Sequence, residues 1–183
     1  ARRIVDTAIG RGITYFDVAP SYGDAEVKLG PALEPYRDDV FLACKSNRRD
    51  AAGVRQEFEQ SLNNLRTDRF DLYQIHGIET DEQVDRVLAP GGALEAMREF
   101  QEAGRVRFIG FSAHNEDAAL RLLDAFAFDS VLFPVNRYVW NSGWVGPRLV
   151  QKAQDRGAAV LALKSLAQRR WHEGEERTWS KTW

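Results

Sequence analysis

The sequence predicts an α/β fold whose parallel strands are arranged as in a TIM-type (β/α)8 barrel, truncated to about six strands. Short apolar runs rich in Val, Ile, Phe and Tyr alternate with segments of helical periodicity along most of the chain. Nearly every run is followed by a polar residue with useful chemistry. This is typical of a barrel, in which the C-terminal ends of all strands converge on one mouth and carry the catalytic groups. These two observations together indicate the barrel.

The predicted strands are short and mostly apolar, as is typical of parallel strands buried on both faces. Pro134 cannot donate a ladder hydrogen bond, so we place it at the end of the fifth strand. The predicted strands cover residues 13–17, 40–43, 70–75, 106–111, 131–135 and 158–163.

The segments between strands carry the signals of helix starts and stops. Asp50 and Asn115 belong to the residue types that cap helix N-termini, and Pro147 suits a first helical turn. Gly10 and Gly104 are stop signals. The predicted helices cover residues 1–9, 50–65, 93–103, 116–126 and 147–157.

Strand–helix alternation fits either an open doubly wound sheet or a barrel. An open sheet would spread the polar strand-end residues along a row, with a crevice only at the switch point. Their regular spacing, close to one strand–helix unit, favours the barrel. The residues at these positions are Asp17, Lys45, His76, Ser112 with His114, Asn136, and Lys164 with Ser165.

Composition bounds the class of protein. The 183 residues, 44% hydrophobic and 28% charged, fit one globular domain over residues 1–183. A net charge of -2 argues against a nucleic-acid binder, and no apolar run is long enough for a membrane span. Cys44, the single cysteine, excludes an internal disulfide and fits a reducing, cytoplasmic location.

Four polar residues near the ends of the first three strands form the strongest candidate site. A Lys ammonium beside a tyrosine stabilises phenolate, and a neighbouring aspartate holds the Lys in place. With a histidine beside them, these groups can protonate a carbonyl oxygen as its carbon receives a hydride. In the alternative interpretation, the aspartate and the lysine form a structural ion pair, the tyrosine is a loop aromatic and the histidine caps a helix. The convergence of four such residues on one place disfavours this interpretation. The four are Asp17, Tyr22, Lys45 and His76.

Several motifs resemble the aldo-keto reductase family. Residues 12–23, GITYFDVAPSYG, resemble its signature, in which an Asp ends the second strand and Tyr-Gly follows five residues later. Residues 41–45, FLACK, are similar to its third strand, and residues 71–76, DLYQIH, to its fourth. Residues 105–112, RVRFIGFS, resemble the run before its fifth-strand serine. The resemblance covers almost the whole chain, from the family's first helix to just past its seventh strand.

The resemblance implies a (β/α)8 barrel that reduces small aldehydes or ketones with NADPH. By it, Tyr22 is the general acid and Lys45 promotes its ionisation. Asp17 then orients Lys45, and His76 positions the carbonyl of the substrate. All four positions are filled in this sequence, which favours an enzyme over the alternative of a non-catalytic, cofactor-binding regulatory subunit.

The resemblance also implies cofactor positions on the later strands. Ser112 and Asn136 would meet the nicotinamide carboxamide, at places where many members have Ser-Asn and Gln. Lys164 and Ser165 resemble the start of the pyrophosphate-binding loop. The nicotinamide ring would stack on one of two aromatic residues, Tyr138 or Trp140.

Parts of the family pattern are absent from this sequence. We find no counterpart of the first strand, of the last strand and its helix, or of the loop that reads the adenosine 2′-phosphate. We therefore expect a single incomplete barrel domain, with unpaired strand edges. The chain by itself is expected to bind cofactor poorly and to aggregate.

Two other chemistries are open at the same residues. Asp17, His76 and His114 could form a metal triad, but Lys45 beside them would repel a cation, so we predict no metal. Lys45 or Lys164 could form a Schiff base. Pairing with Asp17 argues against this for Lys45, because a paired ammonium stays protonated and is a poor nucleophile.

Overall fold

A computed structural model describes residues 1–141, 146–165, 174 and 176 of the chain. None of the helices in that part is long and apolar enough to cross a membrane. The strands are β1 (Tyr15–Asp17), β2 (Phe41–Ser46), β3 (Phe70–Ile78), β4 (Val106–Ala113), β5 (Ser130–Pro134) and β6 (Ala159–Leu163). The helices are α1 (Arg2–Gly10), α2 (Ala25–Leu33), α3 (Ala51–Leu65), α4 (Asp81–Leu88), α5 (Ala93–Glu102), α6 (Glu116–Ala125), α7 (Arg137–Asn141) and α8 (Pro147–Asp155), with a 3-10 helix at Glu34–Asp39.

The order of the strands decides between the two predicted architectures. All six strands are parallel, and they pair in chain order from β1 to β6. Right-handed crossovers that always step in one direction place their helices on one face of the sheet. A doubly wound sheet reverses direction at a switch point, and its strands are not in sequential order. The barrel class is therefore confirmed over these six strands.

The two faces of the sheet have different environments. Tyr73 faces the helices and packs edge-to-face on Phe58 of α3, with ring centroids 5.0 Å apart. The alternate positions face the barrel interior, where Lys45 is in register with Gln74 and Gln74 with Gly110. The functional residues therefore share one face, and the helix-packed core occupies the other.

Several local predictions are confirmed. The Asp50 side chain accepts a hydrogen bond from the backbone N–H of Gly53 at 2.8 Å, which caps α3. Asn115 caps α6 in the same way, through the N–H of Ala118 at 3.1 Å. Pro134 is the last residue of β5. These signals depend on neighbours within a few residues, so the sequence was sufficient to find them.

Other features differ from the prediction. β2, β3 and β4 run further than expected, so Lys45, His76 and Ser112 lie within strands. The helices α2, α4 and α7 were not predicted. In α2 the pair Gly30-Pro31 is typical of a turn in sequence. In the fold, a side chain at Gly30 would collide with the backbone carbonyl of Asn64, so this glycine lets α2 pack closely on α3.

Candidate active site

A buried lysine lies at the centre of the site. Lys45 on β2 has a side chain only 1% exposed, and its ammonium forms an ion pair with Asp17 at the end of β1. Its Nζ also donates to the carbonyl of Val18 at 3.4 Å. Register brings the pair together, because Asp17 lies opposite Ala43, two residues before Lys45 on the same face. A buried ammonium needs such a partner, so the carboxylate of Asp17 compensates the positive charge of Lys45 and fixes the position of its side chain.

Tyr22 lies in the loop after β1 and covers this ion pair. The Lys45 Nζ is 5.0 Å from the centroid of the Tyr22 ring, within the range of a cation–π contact. The His76 imidazole meets the same ring edge-on, with centroids 5.8 Å apart and planes at 86°. Tyr22 itself is 47% exposed. The structure thus brings the four residues of the predicted site into one cluster, with the phenol at its open side.

His76 is held at one of its two ring nitrogens. Nδ1 is 2.9 Å from Oδ1 of Asn47 and 3.4 Å from Oγ of Ser21. Burial lowers the pKa of His76, and the positive charges of Lys45 and Arg49 lower it further. Both effects favour the neutral imidazole.

Three residues around His76 were missed by the sequence reasoning. Arg49 donates from Nη2 to the backbone carbonyl of His76 at 2.6 Å, and Glu57 accepts from the backbone N–H of Asn47 at 2.8 Å. Asn47 and Arg49 follow Lys45 by two and four residues, so the polar run after β2 could have indicated them. Glu57 lies on α3, and nothing in the sequence connects it to this loop.

The predicted residues on β4 to β6 lie at the same edge of the sheet but make different contacts. Ser112, within β4, accepts a hydrogen bond from the backbone N–H of Gly77 at 2.7 Å. Asn136, after β5, accepts one from the N–H of Val139 at 2.9 Å. Both residues are buried, and both side-chain oxygens bind backbone groups of neighbouring segments.

The remaining predicted positions follow β6. Lys164 has a positive φ of 55°, and its Nζ is 3.3 Å from Nε2 of His114. Ser165 is exposed beside it. Trp140 is 43% exposed on α7, whereas the side chain of Tyr138 lies outside the described residues. The predicted ring stacking therefore stays a prediction.

Donor groups at this edge fit a nicotinamide cofactor. Ser112 and Asn136 use an oxygen atom as acceptor, which leaves the hydroxyl proton and the amide N–H groups as donors for a carboxamide oxygen. Lys164 brings a positive charge suited to a phosphate. In the described part of the chain, no three His, Cys, Asp or Glu residues are grouped as a metal site would require.

Comparison with known proteins adds a family match. The profile of the aldo/keto reductase family matches residues 1–178. The uncharacterized oxidoreductase YqkF of Bacillus subtilis is 32% identical over 127 residues, which covers 62% of this chain and 40% of the relative. The aldo-keto reductase YhdN of the same organism is 34% identical over 122 residues, covering 59% and 35%. The chain thus spans less than half the length of these two relatives.

The fold agrees with a solved structure. The holo form of aldo-keto reductase AKR11C1 from Bacillus halodurans superposes with a TM-score of 0.75 at 27% identity. The match covers 96% of this chain and 62% of that one. The six-strand sheet is therefore similar to part of a complete barrel.

Proposed function

Because this chain belongs to the aldo-keto reductase family, we propose that it carries the catalytic residues of an NADPH-dependent reductase of aldehydes or ketones. One observation carries the proposal: the buried ammonium of Lys45 is ion-paired with Asp17 and lies against the ring of Tyr22. A phenol, an ammonium and a carboxylate in this order form a proton donor suited to a carbonyl oxygen.

Carbonyl reduction adds a hydride to the carbon and a proton to the oxygen. NADPH supplies the hydride when bound. The hydroxyl of Tyr22 gives its proton to the carbonyl oxygen, which becomes the alcohol, and the phenol becomes a phenolate. The ammonium of Lys45 stabilises this phenolate, and Asp17 keeps the ammonium in place. Tyr22 is 47% exposed, so a substrate can reach this side chain from solvent.

His76 completes the proposed site. Its neutral imidazole lies edge-on to Tyr22, with ring centroids 5.8 Å apart. A substrate oxygen that accepts a hydrogen bond from the phenol would therefore also lie close to the imidazole. A neutral ring puts no second positive charge beside Lys45. His76 is thus proposed to orient the substrate oxygen rather than to exchange a proton with Lys45.

The cofactor is proposed to lie along the ends of β4 to β6. Ser112 and Asn136 would hold the carboxamide through their remaining donors. Lys164 and Ser165 would contact the phosphates. These roles are supported by the position of the residues at one edge of a parallel sheet and by the family to which the chain belongs.

A matched pair of lysine variants tests the proposal. In a protein that completes the barrel around this chain, we expect Lys45→Met to lower the rate of NADPH oxidation with 4-nitrobenzaldehyde by at least about 10²-fold. Lys28→Met, which removes an exposed lysine paired with Asp24 on α2, should leave the rate unchanged. Circular dichroism shows whether both variants fold.

Two outcomes would contradict the proposal. NADPH fluorescence that reports binding without any turnover across a panel of aldehydes and ketones would favour a non-catalytic binding subunit. Equal rates for Lys45→Met and the wild type would show that the lysine takes no part in the reaction. Replacing NADPH by NADH in the same assay tests the proposed form of the cofactor.

A further inference from the structure

Tyr22 carries the proposed proton donor, yet it lies half exposed in the loop between β1 and α2. The contacts that hold this loop therefore decide whether the phenol stays beside Lys45. We propose that Glu26, in the first turn of α2, is a positioning residue that fixes the loop of Tyr22 to the strand of Lys45. The inference rests on the proposed function for its catalytic meaning, although the placement of Tyr22 can be measured without turnover.

The loop is fixed at its first end by the sheet. The backbone N–H of Val18 donates to the carbonyl of Ala43 at 3.1 Å, which continues the pairing of β1 with β2. The next two bonds are internal to the loop. The N–H of Tyr22 donates to the carbonyl of Ala19 at 3.0 Å, and the N–H of Ala25 donates to the carbonyl of Tyr22 at 3.2 Å. Internal bonds give the loop its shape, but they do not fix its second end relative to β2.

Glu26 supplies the contact at the second end. The residue is only 4% exposed, and its Oε2 accepts from Nδ2 of Asn64 on α3 at 3.0 Å. Its Oε1 lies 3.5 Å from Sγ of Cys44 on β2. The thiol has one proton, and its other acceptor, the carbonyl of Lys45, is further away, at 3.8 Å. Because Cys44 directly precedes Lys45, one carboxylate connects the start of α2 to the strand that carries the ammonium.

A buried carboxylate is costly unless its charge is compensated and its oxygens accept hydrogen bonds. The first-turn position places Glu26 at the positive end of the dipole of α2. Burial and the charge of Glu26 raise the pKa of Cys44, so the thiol keeps its proton and can donate to the carboxylate. Asp24, at the N-cap position of the same helix, pairs with Lys28 on the surface instead. Glu26 is therefore the carboxylate at this helix start that reaches the interior.

The partner helix holds its side of this contact firmly. Oδ1 of Asn64 accepts from Nε2 of Gln60, one turn earlier on α3, at 3.0 Å, which fixes the amide that binds Glu26. A Cβ at Gly30 would lie 2.3 Å from the carbonyl oxygen of Asn64, so α2 and α3 are in close contact here. A shift of α2, and with it of the Tyr22 loop, would therefore have to break the Glu26–Asn64 bond.

NOEs between ring protons test the placement directly, in a protein that completes the barrel around this chain. The wild type should show NOEs between the rings of Tyr22 and His76, whose centroids are 5.8 Å apart. Glu26→Ala removes both contacts and should weaken these NOEs. Glu26→Gln keeps an acceptor oxygen for the amide on α3 and should retain them. Glu34→Ala, which removes an exposed carboxylate just after α2, is the matched control.

Kinetics distinguish positioning from a general loss of stability. Glu26→Ala should lower kcat by about 10- to 10²-fold, because a small displacement of the reacting group has effects of this size. The KM for NADPH should stay unchanged, since the proposed cofactor positions lie at the ends of β4 to β6. In the background of Tyr22→Phe, the same substitution should lower the rate no further. Leu122→Ala, at a buried position of α6, should lower the melting temperature but keep the wild-type kcat.

If Glu26→Ala does not fold, Cys44→Ala, which removes only the contact with β2, takes its place and should show the same changes at smaller size. Unchanged NOEs, a wild-type kcat, or an equal loss of rate in the Tyr22→Phe background would overturn the inference. If the wild type shows no turnover, the proposed function fails, and the NOEs still decide whether Glu26 places Tyr22.

Discussion

The first three strands and the last three strands end in polar residues of similar kinds, but these residues are used differently. At β1 to β3 the side chains contact one another: Asp17 pairs with Lys45, which faces Tyr22, and Tyr22 meets His76. At β4 and after β5, the described bonds of Ser112 and Asn136 go to backbone N–H groups.

This difference shows that one sequence signal has two structural outcomes. In the first region each group depends on the charge or ring of the next, so a single substitution disturbs the whole cluster. In the second region each side chain stabilises a neighbouring backbone segment independently. Substitutions should therefore be strongly coupled in the first region and nearly additive in the second.

The largest effect is expected at the phenol of the first region. Tyr22→Phe should lower turnover by about 10²–10⁴-fold, because the proposed proton donor is lost. Its melting temperature should stay near that of the wild type, since phenylalanine keeps the ring contacts with Lys45 and His76. Steady-state kinetics and thermal unfolding measure the two effects.

Tyr36→Phe is the control for this substitution, because its hydroxyl donates to Asp6 of α1, which is not part of the cluster around Lys45. Its turnover should be that of the wild type. If Tyr22→Phe also reduced substrate at the wild-type rate, another group would have to supply the proton.

The next largest effect is on stability. Asp17→Ala should lower the free energy of unfolding by about 3 kcal/mol, because it leaves the buried ammonium of Lys45 without its partner. Urea denaturation measures the change. Asp24→Ala removes the partner of an exposed lysine on α2 and should leave stability nearly unchanged. Equal stability of the two variants would mean that Lys45 has another sufficient partner.

A smaller effect is expected in the second region. Ser112→Ala should lower the free energy of unfolding by about 1–2 kcal/mol, because the N–H of Gly77 loses its acceptor in a part-buried place. Ser165→Ala, at an exposed position, is the control. Combining Ser112→Ala with Asp17→Ala should give nearly the sum of the two losses. If the loss of unfolding free energy in the double variant differed strongly from this sum, the two regions would not be energetically independent.

The smallest effect is a pH dependence that reports on His76. Its pKa in the folded protein is lowered, so below about pH 6.5 the unfolded chain binds a proton that the folded chain does not. Stability should therefore fall as the pH decreases from about 6.5 toward the folded pKa. Urea unfolding of the wild type and His76→Gln at several pH values measures this, and the same acid slope in both would contradict the assignment.

Much of the candidate site could be predicted from the sequence, and the reasons are local. Asp17, Lys45 and His76 each belong to an apolar strand that ends nearby, and parallel strands present their ends at one edge. The helix α2 could not be predicted in this way, because its Gly30-Pro31 pair is typical of a turn and only the packing of α2 on α3 explains the glycine.

The sequence by itself determined the alternation of strands and helices and the polar residues at the strand ends. It could do so because period-two and helical patterns, caps and breakers act within a few residues. Only the tertiary structure decided which side chains meet: that Asn47 and Arg49 hold His76, and that Ser112 binds a backbone group. Such contacts depend on strand register and loop conformation, which are set by packing between segments that are distant along the chain.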